Sequence, residues 1–572
     1  MTAQSVDLPT YPGRRLVVLF LFLVGMSLLA VRAIELQVFQ HDFLQKKGSA
    51  HQTRVVNIPA HRGKILDRHG EPLAISTPVD SVWVNPREIE LTPKTVSLLS
   101  QLLGMKQEEI RRRVESRADK GFVYLKRQVP PSLAKQVKAL KLAGVRVDRE
   151  YRRYYPMGEV FGHLLGFTNV DDQGQEGLEL AYDDWLTGVS GSKRVIREGR
   201  GRVIGDVELI QSARPGQDLQ LSIDGRIQYL AYRELKSAVK AHKAESGSVV
   251  VIDPQTGEVL AMANQPSFNP NNRSQFRSEL YRNRALKDVF EPGSTAKPFT
   301  IAAALESGEF MPTSLVDTSP GFYQVSGFPI KDRKNFGKID LAAIISRSSN
   351  VGASKVALQL APEQLWDVFQ KFGFGQPTGT GFPGEVGGVL RDYSQWYPLD
   401  RATLAFGYGF SVTALQLAQA YSVIASDGEY RPLSLLTSAQ TAEATPVISP
   451  QTSLEVRQMM RQVVQPQGTG HRAAVEGYDV AGKTGTVRKA VGGGYAEDRY
   501  VAVFAGMIPV DAPRLVAVVV IHEPKAGKFY GGDVAAPIFS RIMAGALRQL
   551  NVAPKVGFDT PKGAVGQKGS EV

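Results

Sequence analysis

Cysteine is absent from all 572 residues, which excludes disulfide scaffolds, thiolate nucleophiles and cysteine-ligated zinc or iron–sulfur centres. Histidine is scarce at 8 residues, and only His242, His471 and His522 lie beyond residue 217. With no G-x-S-x-G stretch either, a Ser-His-Asp hydrolase fits poorly. Negative charge is the minority: 56 Asp plus Glu stand against 68 Lys plus Arg, a net +12. Most of the excess lies before residue 217, where a basic surface could meet nucleic acid, anionic lipid or an acidic polymer, or simply be solvated. With 43% apolar and 22% charged residues the composition is globular, and the length suits two or more domains.

One long hydrophobic run is present. After Arg14-Arg15, residues 16–31 carry no charge, and Arg32 closes the run. It spans roughly 24 Å, a little short of a ~30 Å hydrocarbon core, with flanking arginines able to snorkel and Ala33-Ile34 extending it. Nothing amphipathic breaks it as a buried soluble helix would require, and Arg32 sits awkwardly in a signal-peptide cleavage site. The preferred reading is a retained anchor at 16–34, with a cytoplasmic leader at 1–15 and the rest outside. The helix is expected to continue over 35–43 and stop at Lys46-Lys47-Gly48.

Residues 35–216 read as an extended mixed α+β domain, with strand-like runs at 81–84 and 121–125 and one amphipathic helix at 132–142. The character changes at Arg214-Pro215-Gly216. Beyond it come a helix at 227–242 and strand pairs at 248–252 with 258–264 and 501–507 with 515–522. Helices are expected at 294–307, 341–360, 413–426, 452–465 and 534–550. Strands early and late with helices between predict an α/β domain at 217–552, an antiparallel sheet covered by helices. Residues 553–572, rich in Gly, Lys and Pro, read as a disordered tail.

Three short motifs carry the chemistry. Ser294-Thr-Ala-Lys297 has S-x-x-K spacing, but so do Ser132/Lys135, Ser190/Lys193 and Ser237/Lys240. Only Ser294 opens an apolar helix, with Pro298 in its first turn, so the helix dipole favours negative charge there and Lys297 can reach the hydroxyl. In apolar surroundings Lys297 could act as a neutral base; the plain alternative is an N-cap serine beside a surface lysine. Ser348-Ser349-Asn350 supplies S-x-N, a spacing that Ser267/Asn269 shares. Lys483-Thr484-Gly485-Thr486 is the one K-[S/T]-G, on an expected strand whose glycines 482 and 485 would admit a substrate backbone. Gly477 to Thr484 also spells G-x-x-x-x-G-K-T, but Gly485-Thr-Val-Arg488 cannot begin a good helix, so a P-loop ATPase is disfavoured.

In this order the three motifs resemble the active-site set of penicillin-binding proteins and serine β-lactamases. Arg62-Gly-Lys-Ile-Leu-Asp-Arg-His-Gly-Glu-Pro-Leu-Ala74 resembles a stretch marking the non-catalytic domain of class B penicillin-binding proteins. Arg153-Tyr-Tyr-Pro-Met-Gly158 and Gln175-Glu-Gly-Leu-Glu179 resemble later boxes of that domain. Glu291-Pro-Gly-Ser-Thr-Ala-Lys-Pro298, with residues 76–88, resembles the septal rather than the elongation branch. The resemblance implies a pedestal or dimerisation-type domain at 35–216 and a β-lactamase-like transpeptidase domain that cross-links septal peptidoglycan stems through a serine acyl-enzyme. It implies Ser294 as nucleophile, Lys297 as base, Ser348 and Asn350 as proton relay and positioning amide, and Lys483 as the fixed cation. Thr484, Gly485 and Thr486 would line the site for the terminal carboxylate, and Tyr408, Arg488, Phe529 and Tyr530 would wall the acyl pocket. Expected partners are D-Ala-D-Ala stems, β-lactams, the inner membrane, a septal glycan polymerase and other division proteins. Nucleic acid, cofactor and metal are not called for. A non-enzymatic penicillin sensor or division scaffold is the alternative.

Overall fold

The structure, a computed structural model, describes residues 12–41, 43, 53–197, 203–272, 274, 277–438, 442–492 and 494–555. Most of the expected leader, the helix stop at 46–48 and nearly all of the expected tail lie outside the described residues. The chain divides into two compact units, residues 1–61 with 188–216 and residues 62–187 with 217–572.

In the first unit the helix Pro12–Ile34 starts before the expected span, and a wider helical turn, Glu35–Phe39, continues it. Among the described residues this is the one helical stretch long and apolar enough to cross a membrane. Leu16, Phe20, Phe22 and Leu29 are exposed around it. A three-stranded antiparallel sheet of Thr53–Ile58, Gly191–Arg197 and Val203–Gln211, in that order, completes the unit.

In the second unit the strand Pro72–Val84 is flanked by Val123–Val129 and Val145–Tyr154, both antiparallel to it. Val82, Val84, Val123 and Leu125 form a small core with the neighbouring helices. The helix expected at 132–142 is Pro131–Ala139, and two more, Pro93–Leu103 and Gln107–Glu115, stand where the sequence reading has none. The first was legible: the Thr92 hydroxyl accepts from Thr95 N–H, Pro93 opens the helix, and Val96, Leu99 and Leu103 form its buried stripe. The second buries only Ile110 and Val114 and is otherwise polar.

The same unit holds a buried ion cluster. Glu179, fully buried, accepts from Arg62 Nε at 2.8 Å and from Arg153 Nε at 2.6 Å. Arg62 also reaches Asp183 at 2.6 Å, and Arg153 donates to the Gly63 carbonyl at 2.7 Å. Three stretches far apart in sequence are thereby tied together.

The larger part of this unit is built on a five-stranded antiparallel sheet. Its members are β1 (Ser246–Ile252), β2 (Val259–Gln265), β3 (Ala481–Val491), β4 (Gly494–Ile508) and β5 (Leu515–His522), in the order β2-β1-β5-β4-β3. Early and late strands therefore meet at the sheet's centre, as expected. Residues alternate between two cores: Val249, Val251, Val519 and Ile521 pack with the helices Gly225–Ala241 and Ala536–Gln549. Val250, Ile252, Val518 and Val520 pack with α1 (Lys297–Glu306) and α3 (Ala414–Ala425). Helices on both faces explain why β1 and β5 are buried at every position.

The helix expected at 341–360 is two helices, Leu341–Ser346 and α2 (Asn350–Gln359), broken at Ser348. The run Ser346-Arg-Ser-Ser-Asn350 contains residues that compete with helix through their own side chains, and Ser349 caps α2 by accepting from Gly352 N–H.

Candidate active site

Ser294 sits in a one-turn 3-10 segment, Gly293–Ala296, that runs directly into α1. The turn is held from behind by Gly293 N–H donating to the Gly407 carbonyl at 3.0 Å. A Cβ on Gly407, whose φ is +89°, would lie 1.9 Å from the Gly293 oxygen, so glycine alone allows this approach. The Ser294 hydroxyl faces side chains: Lys297 Nζ and Ser348 Oγ each lie 3.0 Å from it.

Lys297 is completely buried. Its Nζ lies 2.8 Å from Asn350 Oδ1, 2.9 Å from the Ser348 carbonyl, 3.0 Å from Ser294 Oγ and 3.1 Å from Ser348 Oγ. The amide and carbonyl oxygens can only accept. A neutral amine gives them its two N–H bonds and keeps a lone pair for a hydroxyl proton. Burial, then the positive charges of Lys483 and Arg333, hold its pKa well below the usual lysine value, with Asp332 opposing.

Ser348 makes this geometry possible. Its φ of +62° lies in the left-handed region, at a cost of roughly 1–3 kcal/mol for a non-glycine residue. In return its carbonyl and hydroxyl both face Lys297. Lys483, on β3 and fully buried, donates to Ser348 Oγ at 3.0 Å and to the Thr484 carbonyl at 3.1 Å. Burial and then Arg333 bring its pKa down to about 7. The hydroxyls of Ser294 and Ser348 and the amines of Lys297 and Lys483 thus form one continuous network drawn from three distant stretches.

Asp332, which sequence reasoning missed, holds Asn350 in place. Its carboxylate accepts from the N–H of Asn350 at 2.5 Å and of Val351 at 3.1 Å, and from the Ser349 hydroxyl at 2.5 Å. Asn350 Nδ2 donates to the Lys331 carbonyl at 3.3 Å. No local pattern announces this, because these further acceptors come from a separate loop, in addition to the Ser349 cap.

Thr484 and Thr486 follow Lys483 on β3. Thr484 Oγ1 lies 3.0 Å from Thr469 Oγ1, another residue missed from sequence. Thr486 Oγ1 accepts from Gly531 N–H at 2.9 Å, which leaves its proton available to an anion. The glycines also accommodate the protein's own chain. A Cβ at Gly482 would meet the Phe504 ring at 2.5 Å, and one at Gly485 would meet the Pro292 carbonyl at 3.0 Å, so the close approach is by the protein's own chain. Lys483-Thr484 lies within a strand, not at a helix start, which removes the P-loop reading. Ser132/Lys135 and Ser237/Lys240 lie exposed on helices.

The aromatic residues stand outside the hydrogen-bonded network. Phe529 stacks on Tyr500 with centroids 4.4 Å apart and touches Tyr530 at 4.5 Å, beside the Gly531 that binds Thr486. Arg488 is exposed on β3, two residues beyond Thr486. Tyr408 packs edge-on against Phe406 and Tyr495, and Glu291 accepts from Tyr495 O–H at 3.0 Å and Gly409 N–H at 2.9 Å.

Residues 247–544 match the penicillin binding protein transpeptidase domain, and residues 57–221 match the penicillin-binding protein dimerisation domain. The chain is 43% identical over 537 residues to the peptidoglycan D,D-transpeptidase FtsI of Escherichia coli, covering 93% of this chain and 91% of that one. It is 41% identical over 548 residues to the probable peptidoglycan D,D-transpeptidase PbpC of Pseudomonas aeruginosa, covering 96% and 97%. Among solved structures, penicillin-binding protein 3 of Mycobacterium tuberculosis, complexed with aztreonam, matches with a TM-score of 0.69 at 29% identity, covering 87% of this chain and 98% of that one. The transpeptidase domain of Burkholderia pseudomallei penicillin-binding protein 3 is 44% identical, with a TM-score of 0.55 over 59% of this chain and 98% of that one. By these matches across nearly its whole length, the chain belongs to the class B penicillin-binding proteins.

Proposed function

We propose that the protein is a peptidoglycan D,D-transpeptidase that cross-links stem peptides of the septal wall through an acyl-enzyme on Ser294. The observation that carries this reading is the surround of Lys297, whose two obligate acceptors leave a lone pair for the Ser294 proton. Lys297 takes that proton as Ser294 Oγ bonds to the carbonyl carbon of the penultimate D-Ala. The N–H groups of Ser294 and Thr486 receive the oxyanion, each such donor contributing about 3–4 kcal/mol. The carbonyl re-forms as the C–N bond breaks, and the proton passes from Lys297 through the Ser348 hydroxyl to the departing D-Ala amine. An acceptor amine on a second stem then attacks the ester and frees Ser294.

Lys483 keeps Lys297 deprotonated and, with the Thr484 and Thr486 hydroxyls, receives the terminal carboxylate. Tyr408, Arg488, Phe529 and Tyr530 flank the acyl portion. β-Lactams, as mimics of D-Ala-D-Ala, acylate the same serine. The apolar helix Pro12–Ile34 anchors the chain in the inner membrane by a single pass, with the catalytic domain in the periplasm. The domain before residue 217 offers a docking surface for a septal glycan polymerase and other division proteins. Incubation with a D-Ala-D-Ala stem and an amine-bearing stem should release D-Ala and yield a cross-linked dimer that benzylpenicillin suppresses. Penicillin-insensitive D-Ala release, or no cross-link with an active preparation, would contradict the reading.

A further inference from the structure

Arg333 is an exposed cation near this network that no sequence motif includes. It comes directly after Asp332, so the bonds that tie Lys331 and Asp332 to Asn350 also fix where Arg333 emerges. Its guanidinium lies 5.1 Å from the centroid of the Tyr530 ring, which is 45% exposed. The Asp332 carboxylate is turned toward Ser349, Asn350 and Val351. Among the described residues no carboxylate pairs with Arg333, although it is close enough to raise the positive potential at both Lys297 and Lys483. The rim therefore presents an exposed, positioned guanidinium with no carboxylate paired to it, a group suited to a carboxylate.

We infer that Arg333 is a specificity-determining residue that receives a second carboxylate of the acyl donor, distinct from the terminal one. This rests on the transpeptidase reading above. Covalent structure fixes where that carboxylate lies: the leaving D-Ala carries only the terminal carboxylate, so a second one belongs to the acyl side of the scissile amide. The donor class is thus an anionic stem peptide, and the same contact favours β-lactams with a carboxylate on the acyl side chain.

The test compares second-order acylation constants for carbenicillin, which carries such a carboxylate, and benzylpenicillin, which lacks it. A general change in the base or nucleophile affects both compounds and cancels in their ratio. Arg333→Ala should lower the carbenicillin-to-benzylpenicillin ratio about 5–10-fold, Arg333→Lys should restore most of it, and Arg333→Glu should lower it further. The wild-type ratio should also fall with added salt. A ratio unchanged in Arg333→Ala and Arg333→Glu would overturn the assignment. If Arg333→Ala does not fold, Arg333→Gln carries the same comparison. Absence of benzylpenicillin acylation in the wild type would instead count against the transpeptidase reading. Competition by a D-Ala-D-Ala stem pentapeptide with its internal carboxylate free or amidated separates the substrate from the antibiotic as the source of the charge. A free-over-amidated preference lost in Arg333→Ala supports a role with substrate, and an equal preference in both proteins confines the contact to β-lactams and overturns that role.

Discussion

Lys297→Ala should slow acylation by labelled penicillin about 10²–10⁴-fold, the usual contribution of a positioned general base. The variant removes the one amine that faces both hydroxyls and leaves Asn350 Oδ1 and the Ser348 carbonyl without its N–H groups. The pH dependence gives the sign. Lys297 acts while neutral, so wild-type acylation should fall as pH drops through its depressed pKa and the lone pair is lost. That acid limb should be missing from the residual rate of Lys297→Ala. Stopped-flow acylation across pH checks both points, and a variant keeping both the wild-type rate and its acid limb would refute the role.

Glu179→Ala should have the largest effect on stability. Its carboxylate lies between Arg62 and Arg153, all three side chains being almost wholly buried. Removing one partner from a buried ion cluster costs about 3–5 kcal/mol, because the remaining charges have neither partner nor water. For a domain of this size that corresponds to an apparent melting temperature lower by about 6–20 °C. Glu179→Gln, which retains shape without charge, should fall in between. Calorimetry of the full chain with an unmoved transition in Glu179→Ala would show that the cluster does not hold this region together.

The same cluster shows what could be read from sequence and what could not. Arg62, Arg153 and Glu179 each fall within a box that resembles the family, yet their meeting on one carboxylate joins separate segments, Arg62 lying 117 positions from Glu179. Ser294, Lys297, Ser348, Asn350 and Lys483 were legible as letters with fixed spacing. Their convergence came from early and late strands sharing one sheet. Asp332 and Thr469 were not legible, because each acts on a side chain or helix end supplied by a separate segment. The break at Ser348 was missed for a related reason: the left-handed backbone there is imposed by the site rather than by local preference. Gly482 and Gly485 were noticed, but only the structure identifies Phe504 and Pro292 as what they accommodate.

The most direct test is intact-protein mass spectrometry after benzylpenicillin, with peptide mapping of the adduct. One penicilloyl group per chain is expected, on the peptide containing Ser294 and absent from Ser294→Ala. An adduct on Ser132, Ser190 or Ser237, or undiminished labelling of Ser294→Ala, would contradict it.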